Sequence, residues 1–183
     1  MAQQNTRKKV MNQFFEVKAP LTSAKISLYG ASMQAIAGRR VRIDLSRNLR
    51  GKNLELCMKV KIEGEGLVAE PFALNLFSSY IRRMMRSGSD YVEDSFKASC
   101  KDEDYVVKPF FLTRKKVSRA IRAAIRDGAR DYLTAYMTSR TGIELFSDII
   151  SGKIQRELSL KLKKVYPLAF CDIRIFERVE SKK

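Results

Sequence analysis

Residues 108–136 read KPFFLTRKKVSRAIRAAIRDGARDYLTAY, and this stretch combines a core-facing stripe with a polycationic face. At about 100° per residue, apolar side chains recur on one side of a helix and basic side chains recur on the other. The predicted buried stripe is Val117, Ile121, Ala124, Ile125, Gly128 and Tyr132. The predicted basic face is Lys115, Arg119, Arg122, Arg126 and Arg130. The stretch therefore predicts an amphipathic helix that packs on a core and exposes a row of cations.

The predicted basic face has almost no acid to balance it, because Asp127 is the only acidic residue between Arg114 and Arg130. Like charges four residues apart destabilise a helix by a few tenths of a kcal/mol per pair. A nucleic-acid backbone offers phosphates that relieve this repulsion. The alternative is a solvated face, which most charge runs are, but such faces usually mix both signs. The missing acids favour nucleic acid.

The overall composition supports the same class of partner. The chain has 183 residues and a net charge of +16, which indicates a nucleic acid first and an anionic membrane second. We expect a basic disordered tail over residues 1–12 and a single α+β domain over residues 13–183. Since residues 1–13 contain no signal-peptide core and no long apolar run occurs, we expect a cytoplasmic protein.

Several classes of enzyme and site are excluded by residue type. The chain has no histidine, and its three cysteines (Cys57, Cys100 and Cys171) are too far apart for a zinc site, so each is expected to be a reduced core residue. No phosphate-binding glycine motif occurs. The acids at 102–104 suggest a Mg²⁺-dependent nuclease only weakly, since they fall in one hairpin turn. We therefore predict no enzyme, no catalytic residue, no metal and no cofactor.

Hydrophobic periodicity predicts strands and helices along the rest of the chain. Two hairpins are expected, within residues 54–69 and 91–112, and Pro109 restricts the second to an edge strand or a bulge. Residues 21–37 stay open between strand and irregular structure. The predicted strands are 14–19, 39–45, 54–63, 67–69, 91–100, 105–112 and 170–179, and the further predicted helices are 71–87, 143–150 and 154–165. This order predicts an α+β fold with a mainly antiparallel, barrel-like β core and helices packed on the outside.

Three short motifs connect the chain to a known family. Residues 14–20 read FFEVKAP, residues 111–115 read FLTRK before AIR at 120–122, and residues 165–168 read VYPL before IRI at 173–175. In this order and at these separations they resemble the S-three-a family of archaeal and eukaryotic small-subunit ribosomal proteins. That family has an aromatic pair before Val-x-Ala-Pro, a Phe-x-Thr-basic segment before an Arg-rich helix, and a late Tyr-Pro-Leu.

Departures from the family pattern fall in defined places. Residues 103–105 (EDY) replace an Asp-Gly-Tyr turn, Pro109 stands where relatives have ordinary strand residues, and residues 21–39 match poorly. With no long extension after Lys183, the chain resembles the compact archaeal form.

The resemblance implies a structural constituent of the small ribosomal subunit that binds its rRNA on the platform, near the mRNA exit and the 3′ end of that rRNA. The implied partners are small-subunit rRNA, neighbouring platform proteins and mRNA near the exit, with no membrane and no homo-oligomer. A free RNA-binding translational regulator that uses the same face is the alternative, and a peripheral membrane protein is disfavoured by the small residues of the stripe.

We expect RNA phosphates to be bound by sixteen basic residues. Three of them, at 82, 83 and 86, have a second explanation, because cations near the end of a helix stabilise its dipole. The predicted RNA-binding residues are Arg7, Lys8, Lys9, Lys18, Arg50, Lys52, Arg82, Arg83, Arg86, Arg114, Lys115, Lys116, Arg119, Arg122, Arg126 and Arg130.

Overall fold

The computed structural model describes residues 11–22, 24–47, 49, 51–64 and 66–180, and the predicted tail lies almost wholly outside them. Within these residues there are nine strands and five helices. The strands are β1 Gln13–Lys18, β2 Ile26–Gly30, β3 Arg40–Asp44, β4 Leu54–Glu63, β5 Gly66–Leu76, β6 Tyr91–Glu93, β7 Phe96–Ser99, β8 Asp104–Thr113 and β9 Leu168–Arg178. The helices are α1 Met33–Ile36, α2 Ser78–Met84, α3 Arg119–Thr138, α4 Gly142–Ser151 and α5 Lys153–Leu162.

The strands form one mixed and mostly antiparallel sheet, which confirms the α+β class. The hydrogen-bonded order is β2-β1-β5-β9-β8-β6, with β4 between β3 and β5 in a branch and β7 paired to β8. Strand β1 runs parallel to β5, whereas the β5–β9 and β8–β9 pairs are antiparallel. The predicted barrel-like closure is wrong, because no pairing among the described residues joins the terminal strands β2 and β6. A barrel needs each strand paired on both sides, and β6 has only three residues to offer.

The chain forms two compact units, one of residues 1–41 and 58–70 and the other of residues 42–57 and 71–183. In the first unit, β1 pairs with β2 and with the start of β5, and Val17, Ile26 and Leu67 are buried. The predicted single domain over 13–183 stays a prediction.

The second unit is built around aromatic side chains from β8, β9 and α4. Tyr105 stacks on Phe176 with ring centroids 4.6 Å apart, and Phe146 meets Phe176 edge-on at 5.0 Å. Helix α5 lies against β9, and α3 contacts both α5 and β7. Buried aromatic pairs of this kind stabilise a core by more than the buried apolar area alone would predict. The β8–β9 pair and the three C-terminal helices therefore share one packed core.

The predicted helix over 71–87 is wrong at its beginning, because β5 continues to Leu76 and α2 spans only Ser78–Met84. The side chains of Phe72, Ala73, Leu74 and Leu76 are all buried, as in a strand covered on both faces. Pro71 lies between residues 67–68 of β5, which pair with β1, and residues 73–75, which pair with β9, so its missing N–H falls outside both of these pairings.

The buried stripe of α3 is rotated from the predicted one. The buried residues are Ile125, Ala129, Leu133 and Met137, whereas Ala124 is exposed. The prediction placed weight on small residues in the first half of the helix, but the large side chains of its second half decide which side is buried. At about 100° per residue, Arg122 and Arg126 then both fall within the arc of the stripe, in the turns at its N-terminal end. The cations of α3 therefore flank the core rather than oppose it.

The second half of α3 is fastened to α4 and α5 by a tyrosine cluster, which we define as Tyr132, Tyr136, Arg140, Asp148 and Glu157. Tyr132 Oη donates to Glu157 Oε2 at 2.6 Å, and Tyr136 Oη donates to Asp148 Oδ2 at 2.9 Å. Arg140 pairs with the same Asp148 carboxylate and lies 4.1 Å over the Tyr136 ring. Burial and the hydrogen-bonded carboxylates raise the pKa of both phenols, so the neutral tyrosine donors are kept at physiological pH.

Candidate nucleic-acid interface

Six basic side chains surround the short strand β6 in the second unit. Adjoining cavities of about 650, 510 and 410 Å³ follow the strand, and Glu93 lines all of them. We define the basic cleft by the six basic lining residues, which are Arg82, Lys108, Arg119, Arg122, Arg126 and Arg174. They come from α2, β8, α3 and β9, so the fold gathers cations that are far apart in the sequence.

The first turns of α3 supply three cations without protein partners. Arg119, Arg122 and Arg126 line one cavity together, and no carboxylate among the described residues pairs with them. The Nε of Arg122 is buried and has no acceptor among the described atoms. Two of these arginines lie in the first turn of a helix, where the macrodipole is positive and further cations are unfavourable. An anion bound here would satisfy the Arg122 donor and relieve the repulsion.

The loop before α3 is held in one conformation by Asp90 and Thr113. The Thr113 hydroxyl accepts from the Asp90 N–H at 3.0 Å and donates to the Lys115 carbonyl at 2.7 Å. Asp90 Oδ2 accepts from the Val117 N–H at 2.9 Å. These bonds fix residues 114–118, which we call the basic loop, and leave the side chains of Arg114, Lys115 and Lys116 exposed. The predicted loop residues are thus presented on an ordered backbone next to the basic cleft.

The other side of the cleft depends on a β-bulge. In the β8–β9 pair, Lys108 lies opposite Ile175 and Pro109 lies opposite Ile173, so Arg174 is the extra residue between them. Pro109 has no N–H to donate, and a bulge is where a ladder tolerates proline. The predicted bulge is therefore confirmed, although β8 is not an edge strand. The bulge places Arg174 in the cleft, where its NH1 donates to Glu93 Oε1 at 2.9 Å.

The carboxylates of the cleft are already engaged. Asp94 accepts a two-nitrogen hydrogen bond from Arg130 at 2.9–3.1 Å, Glu93 pairs with Arg174, and Asp90 caps the basic loop. The six cations thus face three carboxylates that each have a partner. The cleft keeps a positive surplus, because Arg82, Arg119, Arg122 and Arg126 pair with no carboxylate among the described residues.

Other predicted RNA-binding residues differ in whether their side chains already contact another group of the protein. Lys52 pairs with the buried Asp172 at 2.9 Å, Arg130 pairs with Asp94, and Arg83 donates to Asn53 and lies over the Tyr80 ring. Lys18 is exposed on β1 in the first unit, and Arg86 is exposed after α2. The remaining predicted residues, Arg7, Lys8, Lys9 and Arg50, lie outside the described residues.

Sequence reasoning missed three features of the cleft. Lys108 and Arg174 lie on strands 66 residues apart, and only the bulge at Pro109 brings them together. Tyr91 was not among the predicted site residues, and its side chain is 56% exposed beside the cleft. Pro109 predicted an edge strand or a bulge, but it could not indicate which residue of β9 the bulge would place in the cleft.

Comparison with known proteins agrees with the motifs in the sequence. The model of the Ribosomal S3Ae family matches residues 4–181. The chain belongs to this family. Similar relatives are the small ribosomal subunit proteins eS1 of Nanoarchaeum equitans, 28% identical over 89% of this chain and 86% of the relative, and of Saccharolobus islandicus, 26% identical over 89% and 82%. The eS1 protein of Desulfurococcus amylolyticus is 25% identical over 86% of this chain and 78% of its own length.

Membership in the S3Ae family confirms the resemblance seen in the sequence. The family is one of ribosomal proteins, so the chain is a ribosomal protein and not an enzyme, as expected. None of the helices in the described part of the chain is long and apolar enough to cross a membrane.

Proposed function

We propose that the chain is a structural constituent of the small ribosomal subunit and binds small-subunit rRNA through the basic cleft and the basic loop. The observation that carries the proposal is the set of unpaired arginines on the first turns of α3, held beside a cleft whose acids are all engaged. The relatives are named as small ribosomal subunit proteins, which supports the choice of RNA.

The mechanism is phosphate neutralisation by a rigid scaffold. The hydrogen bonds of Thr113 and Asp90 fix the basic loop, and the bulge at Arg174 fixes the opposite wall. Arginine donors in fixed positions suit phosphate oxygens, which determine register and orientation on the RNA. Folded RNA is recognised mainly by shape and backbone, so binding should weaken steeply with added salt.

The proposed position is the platform of the subunit, near the mRNA exit and the 3′ end of the rRNA. This position is supported by the resemblance of the three sequence motifs to the S-three-a family. The partners proposed with it are neighbouring platform proteins and mRNA near the exit, with a single copy of the chain per subunit.

Reversal of charge in the cleft tests the proposal. The double variant Arg122→Glu, Arg126→Glu should fail to enter small subunits, because it replaces two unpaired cations with acids that repel phosphate. The control is Lys163→Glu, Lys164→Glu, which changes the net charge equally at exposed positions after α5. Incorporation is measured by sucrose-gradient sedimentation, and circular dichroism checks that both variants are folded.

Two results would overturn the proposal. Normal incorporation of the cleft variant would show that the cleft does not bind rRNA. Absence of the wild-type chain from small subunits sedimented at physiological ionic strength, with binding to free RNA retained, would favour the regulator instead.

A further inference from the structure

We propose that the cavity between α2 and β6 receives a single unpaired base of the bound RNA, which stacks on Tyr91. This inference rests on the proposed RNA-binding function and specifies what one part of the basic cleft recognises. The cavity has a volume of about 410 Å³, which is within the range of small-ligand sites.

The lining of this cavity differs from that of the rest of the cleft. The side chains of Tyr91 and Met85 are 56% and 46% exposed, so two large apolar surfaces face solvent at one place. Phe110 is buried behind Tyr91, and the two rings lie within 17° of parallel with centroids 6.5 Å apart. This contact and the pairing of Tyr91 with Leu112 on β8 fix the plane of the tyrosine. A fixed exposed ring is a platform on which a planar base can stack.

The charges at the rim select a nucleotide over an apolar peptide. Arg82 of α2 and Arg174 of β9 both line the cavity, and Arg82 has no carboxylate partner among the described residues. The single acid there, Glu93, is paired with Arg174. A base stacked on Tyr91 would carry its flanking phosphates toward these two arginines. Ser78 offers a hydroxyl that can donate to or accept from the edge of the base.

The occupant must be unpaired, because a base inside a helix is covered on both faces by its neighbours. Protein side chains therefore stack on bases of loops, bulges and ends. Tyr91 also borders the adjoining cavity, but Arg119, Arg122 and Arg126 line that cavity together, and three arginines suit backbone phosphates. The cleft thus combines backbone binding along α3 with capture of one base at Tyr91.

The test compares two RNA hairpins that differ only in one bulged adenine. We expect the wild-type chain to bind the bulged hairpin about tenfold more tightly than the fully paired one. The reason is that only the bulged hairpin offers a base that can stack on Tyr91. Tyr91→Leu should abolish this preference while leaving the affinity for the paired hairpin unchanged, and Tyr91→Phe should keep the preference. Tyr29→Leu is the matched control, since Tyr29 is 53% exposed on a strand outside the cleft.

The outcomes separate this inference from the proposed function. Equal binding of both hairpins by the wild-type chain, or a preference that survives Tyr91→Leu, would overturn the base site and leave phosphate binding intact. Binding of neither hairpin at low ionic strength would overturn the proposed function and the base site together. Loss of preference in Tyr29→Leu as well would also count against a site at Tyr91.

Discussion

The two halves of α3 carry similar numbers of polar side chains but use them differently. In the first half, Arg119, Arg122 and Arg126 have no carboxylate partner among the described residues. In the second half, Tyr132 and Tyr136 donate to Glu157 and Asp148, and Arg140, which follows the helix, pairs with Asp148. Since the same helix presents both sets, neither helix propensity nor exposure explains the contrast. The contrast depends instead on whether a neighbouring helix or strand presents an acid to the side chain.

The contrast separates stabilising from binding cations within one element. A paired cation on α3 or just after it holds β6–β7 or α4 in place, whereas an unpaired one costs the helix stability that a bound phosphate restores. Arg130 lies at the border, because it is exposed on the basic side and yet paired with Asp94. Four substitutions can test how sharp this border is.

The largest effect should follow from removal of the Asp148 carboxylate from the tyrosine cluster. Asp148→Ala leaves the Arg140 guanidinium and the Tyr136 hydroxyl without their shared acceptor in a half-buried site. We expect the free energy of unfolding, measured with urea, to fall by about 2 kcal/mol. The control Asp127→Ala removes an exposed acid of α3 and should change the free energy of unfolding by less than about 0.5 kcal/mol. RNA affinity of the folded Asp148→Ala variant should be unchanged.

The opposite pattern is expected at Arg126. Arg126→Ala removes an exposed cation that lines two cavities and pairs with no described acid. Affinity for a small-subunit rRNA fragment should fall about fivefold, and the slope of log affinity against log salt should become shallower by about one. Stability should change by less than about 0.5 kcal/mol. An unchanged salt slope would show that Arg126 does not contact phosphate.

A smaller effect should follow when a paired cation is released. Asp94→Asn breaks the two-nitrogen contact with Arg130, which is half-exposed, so the loss of stability should be about 0.5 kcal/mol. The same change adds one unopposed cation beside the cleft, and RNA affinity should rise about twofold at low salt. Weaker binding by Asp94→Asn would mean that Arg130 is excluded from the interface.

The smallest effect concerns alkaline pH. Burial raises the pKa of Tyr136, with help from the hydrogen bond to Asp148, so this tyrosine contributes stability that is complete below the unfolded pKa of about 10 and is lost as pH rises through the folded value. Tyr136→Phe should therefore show a shallower decline in unfolding free energy above pH 10 than the wild-type chain. Parallel curves for the two proteins would indicate that the phenol is solvated.

Much of the fold could be predicted from periodicity, and the failures have physical causes. Strands β3 and β4 and helices α4 and α5 follow their patterns within a few residues. The region of residues 21–37, which periodicity left open, contains β2 and α1. The helix predicted from Pro71 failed because a strand buried on both faces lacks alternation. The barrel failed because strand closure depends on pairings across the whole sheet, which no local pattern encodes.

The candidate site was predictable only where its residues are close in sequence. The arginines of α3 and the basic loop were found because one segment carries all of them. Lys108 and Arg174 were not, since their meeting depends on the register of β8 and β9. The engagement of Lys52 by Asp172 and of Arg130 by Asp94 was equally invisible, because each pair joins elements far apart along the chain.

The bulge at Arg174 makes the cleft depend on the length of β9. Deleting one residue from 170–173 would remove the bulge, because β8 and β9 would then have equal numbers of residues in this segment and could pair regularly. Successive side chains of a strand alternate between faces, so Arg174 would then turn into the layer that holds Phe176 and a buried charge would appear there. A chain that differs by one residue would thereby lose the Arg174 side of the basic cleft, because the register of β9 changed and not because a basic residue was removed.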